Sequence, residues 1–392
     1  MKKTMPMTPT TMITDFYCNQ KFYFLSVDLE RRSAYSCCSA TPSKIDIQWI
    51  KKNPGKLFNT PQLQQERQDM LANIAVDSCK TNCWNPEQNN LVSRRMMYNG
   101  QIKTHTDINS RPEVLNIVLG SSCNLTCSYC DKQYSSAWLR DIKTNGAYLD
   151  LPKFNLTRAD QILSNISQNE HLESDGFNTL TKEIGSFDRL DKVVVSGGEP
   201  FLFNKLPQLL NNLGPVKHIE IFTGLGVGHD RLKNQLDKID HIKNLKMIVS
   251  AENIDRYYEF NRHGNSYDNF CKNLELLRNR GFDIGFSSVV SNVTIFGLID
   301  FVDRYGDENI IYSMCNDPDF LKLGVLDPDS KDRLIAQFES STITIRESII
   351  QNLQILPTEQ QRQQFSTFVK EFARRRELSL GIFPNSMLQW LE

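Results

Sequence analysis

Eight of the chain's ten cysteines fall into two groups whose spacing suits metal chemistry. The stretch SSCNLTCSYC sets Cys123, Cys127 and Cys130 at steps of four and three. Three thiolates can hold three irons of a cubane 4Fe–4S cluster and leave the fourth iron open, as a catalytic metal keeps one position open. The second group, Cys18, Cys37, Cys38, Cys79 and Cys83, lies in the first quarter of the chain. Four thiolates drawn from it suit a tetrahedral zinc ion or a closed iron–sulfur cluster equally. Cys37 and Cys38 are adjacent, so their side chains diverge in an extended segment and one of the two is expected to be the ligand. Cys271 and Cys315 stand alone.

The elements that must position these residues follow from the apolar pattern. From about residue 112, strand-like runs alternate with helical ones: EVLNIVLG, DKVVVSGGEP, HIEIFTG, LKMIVSAE, DIGFSSVVS and ENIIYSM. Such alternation predicts parallel strands joined by helical crossovers, and six strands make an open, partial barrel. Chemistry collects at the C-terminal ends of strands in such folds, and the cysteine triplet sits at one of those ends. The run NSYDNFCKNLELLRNRG has a polar start and a glycine stop, which predicts a helix. The segment from Asp131 to Leu190 is long for one crossover and predicts a helix or two with an excursion over the barrel mouth. The N-terminal run KFYFLSVDLERRSAYSCC predicts a hairpin, and TPQLQQERQDMLANIAVDSCKTNCWNPE predicts a helix leading to Cys79 and Cys83. That quarter is small and loop-rich, so a metal would help it fold. The expected division is 1–105 for the cysteine-rich domain, 106–325 for the barrel and 326–392 for a helical extension.

The 392 residues carry 45 Lys and Arg against 46 Asp and Glu, with no long basic run. Binding of nucleic acid through a generic basic surface is therefore not indicated. No signal-peptide core or membrane-spanning apolar stretch is evident, and so many cysteines without secretion signals argue against a disulfide framework. The chain reads as soluble and cytoplasmic.

The pattern C-x-x-x-C-x-aromatic-C, here Cys123, Cys127, Tyr129 and Cys130, resembles the signature of the radical S-adenosylmethionine (SAM) superfamily. SGGEP, Ser196 to Pro200, is similar to that family's GGEP motif, IVSAEN to its fourth-strand segment and YYEFNRHG to its segment with Arg before Gly. The resemblance covers residues 112 to 320. It implies a partial (β/α)6 barrel, a 4Fe–4S cluster on Cys123, Cys127 and Cys130, and SAM chelated at the open iron. Gly197 and Gly198 would let the backbone approach SAM, Glu199 would meet its ammonium, Ser250 (with Glu252) its ribose and Arg262 its carboxylate. Tyr129 would pack or lie beside the adenine, and Ser288 and Asn292 are further candidates. TGLGVG lacks a dinucleotide-binding frame and reads as a turn after the third barrel strand.

The pattern of Cys18, Cys37 or Cys38, Cys79 and Cys83 followed by WNPEQNNLVSRR resembles the SPASM/twitch domains that carry an auxiliary 4Fe–4S cluster. CSYCDKQYSSAW resembles the branch in which such a domain precedes the barrel. Glu87, Arg94 and Arg95 are candidates to tie that domain down or to meet substrate. Cys315, expected to face the barrel mouth at the end of the sixth strand, is a candidate to give a hydrogen atom to a substrate radical. Cys271, Trp138 and His263 read as core, core and exposed loop. The implied reaction is reductive cleavage of SAM to a 5′-deoxyadenosyl radical and abstraction of a hydrogen atom. The implied substrate is a peptide or a small sugar or nucleotide, and the implied electron donor is external, such as flavodoxin or ferredoxin. A rival from another class is a zinc-stabilised scaffold with a degenerate SAM site.

Overall fold

A computed structural model describes residues 15–37, 39–89, 93–99, 104–156 and 174–391. Cys38 and residues 157–173 of the segment Asp131–Leu190, where the excursion is expected, lie outside the described residues. The chain divides into two compact units: Met1–Val118 with Ser174–Val193 and Asn212–Lys217, and Leu119–Glu173 with Val194–Asn211 and His218–Glu392.

The first unit holds strands β1 (Phe24–Asp28), β2 (Ser33–Tyr35), β3 (Ser43–Lys44) and β4 (Val114–Val118). The predicted hairpin is β1 and β2, antiparallel with Ser26 opposite Tyr35. β1 also pairs in parallel with β4, Phe24 opposite Val114 and Asp28 opposite Val118. A strand paired on both edges is buried throughout, and the polar residues of β1 are matched accordingly. Ser26 Oγ accepts from Asn116 Nδ2 at 2.8 Å, and Asp28 Oδ1 takes the Arg31 amide at 2.7 Å. The predicted helix is Pro61–Leu71, started by Thr60 at its N-cap and a proline at its first turn. It leads to a π-helical turn, Lys80–Trp84.

In the second unit β5 (Leu190–Ser196) and β6 (Val216–Thr223) end, and β7 (Leu245–Ser250), β8 (Asp283–Val290) and β9 (Ile310–Met314) follow. β6 to β9 pair in parallel, with Thr223 opposite Val249, Ser250 opposite Ser287 and Val290 opposite Met314. Parallel pairing follows from the helical crossovers between strands, and the unbroken apolar run Met247–Val249 is buried residue by residue. The helix Tyr267–Asn279 starts on Ser266, whose Oγ accepts from Asn269 N, and stops at Gly281 in the left-handed region. The architecture is the mostly parallel α/β arrangement of a partial barrel with a helical C-terminal part. That part comprises Pro328–Glu339, Arg346–Leu353, Glu359–Arg375 and Asn385–Leu391. No helix among the described residues is long and apolar enough to cross a membrane.

Candidate active site

The cysteine loop is fixed from two sides. On one side lies the helix Ser136–Asn145: the Ser136 hydroxyl donates to Cys123 O (2.9 Å) and accepts from Cys123 N (3.1 Å). Ser135 Oγ donates to Leu125 O (2.6 Å), and the Trp138 indole to Cys127 O (3.0 Å). Trp138 is fully buried, as a core residue should be, but its one polar atom is spent on the loop. On the other side the segment Asn261–His263 runs alongside. Thr126 N donates to His263 O (2.8 Å) and Ser128 N to Asn261 O (2.9 Å).

The C-terminal helical part, expected to pack on the barrel or on a partner, also reaches this loop through Arg376, a residue the sequence does not single out. Arg376 is buried, and its Nε donates to Thr126 Oγ1 at 2.8 Å. Thr126 Oγ1 in turn lies 3.0 Å from His263 Nδ1, and burial, aided by Arg376, holds His263 below its ordinary pKa. His263 is thus engaged, not an exposed loop histidine.

Gly197 and Gly198 answer to the same loop. Gly198 N donates to Gly120 O and Glu199 N to Ser122 O, each at 2.8 Å. A Cβ on Gly198 would stand 2.3 Å from Ser122 O, and one on Gly197, at φ 128°, 2.8 Å from Gly120 O. The glycines are therefore required first by backbone packing against the cysteine loop.

Cys123, Cys127 and Cys130 line one cavity of about 280 Å3, together with Tyr129, Gly197, Gly198, Glu199, Ser250 and Arg262. Of the residues expected to hold the cluster or SAM, these nine line the cavity; Glu252 does not, and reaches it through its pair with Arg262. Ser288 and Asn292 do not line it either: Ser288 Oγ donates inward to Ala251 O (2.5 Å) and Asn292 Nδ2 to Phe320 O (2.9 Å). The cavity is lined by Ser287 and Val289. Alternation along a strand puts Ser287 on the face opposite Ser288, and the register with Ser250 identifies that face.

Burial raises all three thiols, Cys123 to about 12, Cys127 to about 11 and Cys130 well above its usual range. Metal binding must therefore displace their protons. Arg262 opposes the rise at Cys127, to whose Sγ its Nη1 donates at 3.8 Å. The guanidinium is otherwise paired with Glu252, which also accepts from the Tyr129 hydroxyl at 2.6 Å. Burial works against the charge of Arg262, but Glu252, Tyr129 and Cys127 outweigh it and hold its pKa well above the usual range. Glu199 is buried too. Its carboxylate accepts from Thr223 Oγ1 (2.7 Å), Gly224 N (2.9 Å) and Phe201 N (3.2 Å), while burial raises its pKa.

Cys315 is buried and is not among the residues lining this cavity; its thiol, raised by burial to about 11, donates to Asp317 O at 3.8 Å. A larger groove of about 650 Å3, bounded by Tyr257, Phe296, Asp300 and Leu334, contains no cysteine and lacks the chemistry of the smaller one.

The second cysteine group is assembled within the first unit. Cys18, Cys79 and Cys83 pack together with Met70, Val76 and Trp84. Cys37 is buried as well and sits in a turn stitched to the same segment. Thr41 N donates to Ser78 O (3.0 Å), and Asn82 Nδ2 to Ser39 O (2.7 Å). The Ser39 amide already donates to Cys37 Sγ at 3.4 Å. Two buried oxygens beside these cysteines, Gln20 Oε1 and Ser36 Oγ, have no hydrogen-bond partner among the described residues. Four buried thiols, Cys18, Cys37, Cys79 and Cys83, are a soft donor set of the kind a metal group takes. Arg95 and Glu87 pair with each other, and the Arg95 guanidinium stacks 4.6 Å from the Trp84 ring. Among the described residues no three Cys, His, Asp or Glu groups close on a single metal ion.

Residues 117–304 match the Radical SAM superfamily. The chain carries a radical SAM domain. Among solved structures it is similar to anSMEcpe with bound AdoMet and Kp18Cys peptide, at 17% identity and TM-score 0.36, over 58% of this chain and 59% of that one. It is also similar to Streptococcus suis SuiB bound to precursor peptide SuiA, at 16% identity and TM-score 0.32, over 74% and 53%. SuiB on its own gives 13% identity and TM-score 0.34, over 90% and 77%. The matches to anSMEcpe and to peptide-bound SuiB thus span between half and two thirds of those chains. No curated protein matches the sequence.

Proposed function

We propose that this chain is a radical SAM enzyme with two 4Fe–4S clusters, acting on a peptide or on a small sugar or nucleotide. The observation that carries the reading is the single cavity shared by Cys123, Cys127, Cys130 and the residues suited to SAM. A cluster with one open iron, loaded with SAM, supplies a 5′-deoxyadenosyl radical that takes a hydrogen atom from substrate.

The chain's own residues would hold the reactants for it. Cys123, Cys127 and Cys130 would give three thiolates. Ser250 would offer a hydroxyl to the ribose, and Arg262, a fixed cation, would meet the carboxylate. Glu199 would attract the ammonium, and Tyr129 would close the wall beside the adenine. Cys18, Cys37, Cys79 and Cys83 would hold the auxiliary cluster. Four protein ligands leave that cluster no site for substrate, which favours electron transfer over substrate binding. An external flavodoxin or ferredoxin would reduce the catalytic cluster.

The test is iron, sulfide and zinc analysis of anaerobically reconstituted protein, with detection of 5′-deoxyadenosine after SAM and dithionite. About eight irons per chain with SAM cleavage is the expected result. About four irons and one zinc would keep the radical enzyme and turn the N-terminal domain into a zinc staple. No iron and no cleavage would leave the zinc-stabilised scaffold.

Cys315 would serve as a hydrogen-atom donor if the reaction returns hydrogen to the substrate. In deuterium oxide the product would then carry solvent deuterium, and Cys315→Ala would lose it.

A further inference from the structure

The N-terminal cysteines share their surroundings with a buried charge. Cys18 caps the 3-10 turn Asn19–Phe22, and Lys21 follows it by three residues. The Lys21 amide closes the turn by donating to Cys18 O at 3.2 Å. Lys21 is 1% exposed, and its Nζ pairs with Glu66 on the helix Pro61–Leu71 and donates to Ser78 Oγ at 3.0 Å. Ser78 adjoins Cys79. The ammonium is thus held at two places, by Ser78 next to Cys79 and by Glu66, while its backbone closes the turn after Cys18.

An ion pair so buried is costly to desolvate and weak as a source of stability. Replacing such a pair by apolar residues of similar volume is often neutral for stability, so stability alone does not account for it. Its placement suggests another reason: the ammonium donates to Ser78 Oγ at 3.0 Å, Ser78 is the residue before Cys79, and Glu66 holds the same ammonium from the helix Pro61–Leu71.

We propose that Lys21, held in place by Glu66, sets the reduction potential of the auxiliary cluster and poises it to accept an electron. The inference rests on the auxiliary-cluster reading of Cys18, Cys37, Cys79 and Cys83. A site with four thiolates is anionic before reduction and more so after it. A fixed positive charge in a low-dielectric interior stabilises the reduced form more than the oxidised form. The electron comes from the substrate radical left by hydrogen-atom abstraction. That radical gives up one electron to the auxiliary site and one proton to solvent, and becomes closed-shell product. Lys21 is a positioning residue in this scheme: it bonds to no iron and touches no substrate.

The test is a redox titration, followed by electron paramagnetic resonance, of full-length reconstituted protein with SAM present. SAM perturbs the signal of the catalytic cluster and so identifies the other. Lys21→Gln should move the auxiliary potential in the negative direction and Glu66→Gln in the positive direction, at unchanged iron content. Lys21→Arg, which keeps the charge, should stay near the parent value. A purely structural pair would not give shifts of opposite sign. Equal potentials in all variants, or shifts of the same sign, would overturn the inference and leave the auxiliary cluster standing. Loss of the auxiliary irons from both Gln variants would also overturn it, since the pair would then be a folding element. Zinc in place of four irons in the parent protein would overturn the auxiliary-cluster reading itself, and this inference with it.

Discussion

Arg262 grips Glu252 at two points inside the radical SAM domain: Nε to Oε2 at 2.9 Å and Nη2 to Oε1 at 2.7 Å, with both side chains almost fully buried. Arg262 follows the helix Asp255–Asn261, and Glu252 follows β7. The pair ties the two connections together behind the cysteine cavity and aims a cation toward Cys127. It also means that Arg262 can meet a SAM carboxylate only while sharing its donors with Glu252.

Removing one partner should cost far more than removing both. Arg262→Met leaves a buried carboxylate unpaired and should destabilise the protein by about 3–5 kcal/mol, as should Glu252→Met in the opposite sense. The double variant should recover much of that loss, because two apolar side chains replace the pair. Denaturant unfolding of the four proteins measures the cycle. Additive losses would mean that the pair is not coupled. SAM binding should fall in every variant lacking Arg262, including the well-folded double variant.

The cysteine triplet should separate the two metal sites. Cys127→Ala should abolish 5′-deoxyadenosine formation and remove about four irons, leaving the N-terminal metal in place. Cys83→Ala should remove the N-terminal metal and leave SAM cleavage uncoupled from product. Metal analysis and chromatography of the SAM products check both. A Cys127→Ala protein that still made 5′-deoxyadenosine would remove the assignment.

Much of this was legible in the sequence because it is periodic or local. All six strands from β4 to β9 follow from apolar runs bounded by turn residues, and the cysteine loop from its spacing. The N-cap at Ser266 and the stop at Gly281 are likewise local signals. What escaped is tertiary. The choice of Ser287 over Ser288 needs the strand's facing, which a run without clean alternation does not reveal. Glu199 reads as a ligand from its motif, yet its carboxylate also braces the ends of β5 and β6 through Thr223 and Gly224. Lys21 and Glu66 lie 45 residues apart, and nothing local distinguishes them from surface charges. Cys315 sits just after β9 as expected, but chain position does not decide which way a thiol turns beyond the end of a strand.

Gly198→Ala should damage the catalytic site without touching a ligand. The added methyl would meet Ser122 O at 2.3 Å, so one of the two backbones must move. Overpacking of this kind costs roughly 1–3 kcal/mol. The displaced segment leads directly into Cys123, so iron at the catalytic site should fall while the N-terminal metal persists. Iron analysis together with a melting curve checks this; full iron loading at a lowered melting temperature would show that the loop absorbs the shift.

The C-terminal helices should prove necessary to the cluster although they supply no ligand. Arg376 stacks 4.5 Å from the Trp138 ring and 4.0 Å from that of Phe372, and donates to Tyr148 OH at 2.9 Å as well as to Thr126. Asp141 Oδ2 lies 3.4 Å from its Nη2, which completes the anchorage. Arg376→Ala removes these bonds and leaves Thr126 and Tyr148 short of a donor in a buried setting, at a cost of roughly 2–3 kcal/mol. Arg376→Lys cannot reproduce the planar fork and should recover only part of it. Since Trp138 and Thr126 are two of the contacts that hold the loop around Cys127, the catalytic cluster should load less fully in Arg376→Ala. The check is the iron-to-protein ratio and the yield of 5′-deoxyadenosine per cluster. A lower ratio with normal yield per loaded cluster is the expected pattern, because Arg376 steadies the loop and does not touch SAM. A normal ratio in a destabilised protein would confine Arg376 to the packing of the C-terminal helices.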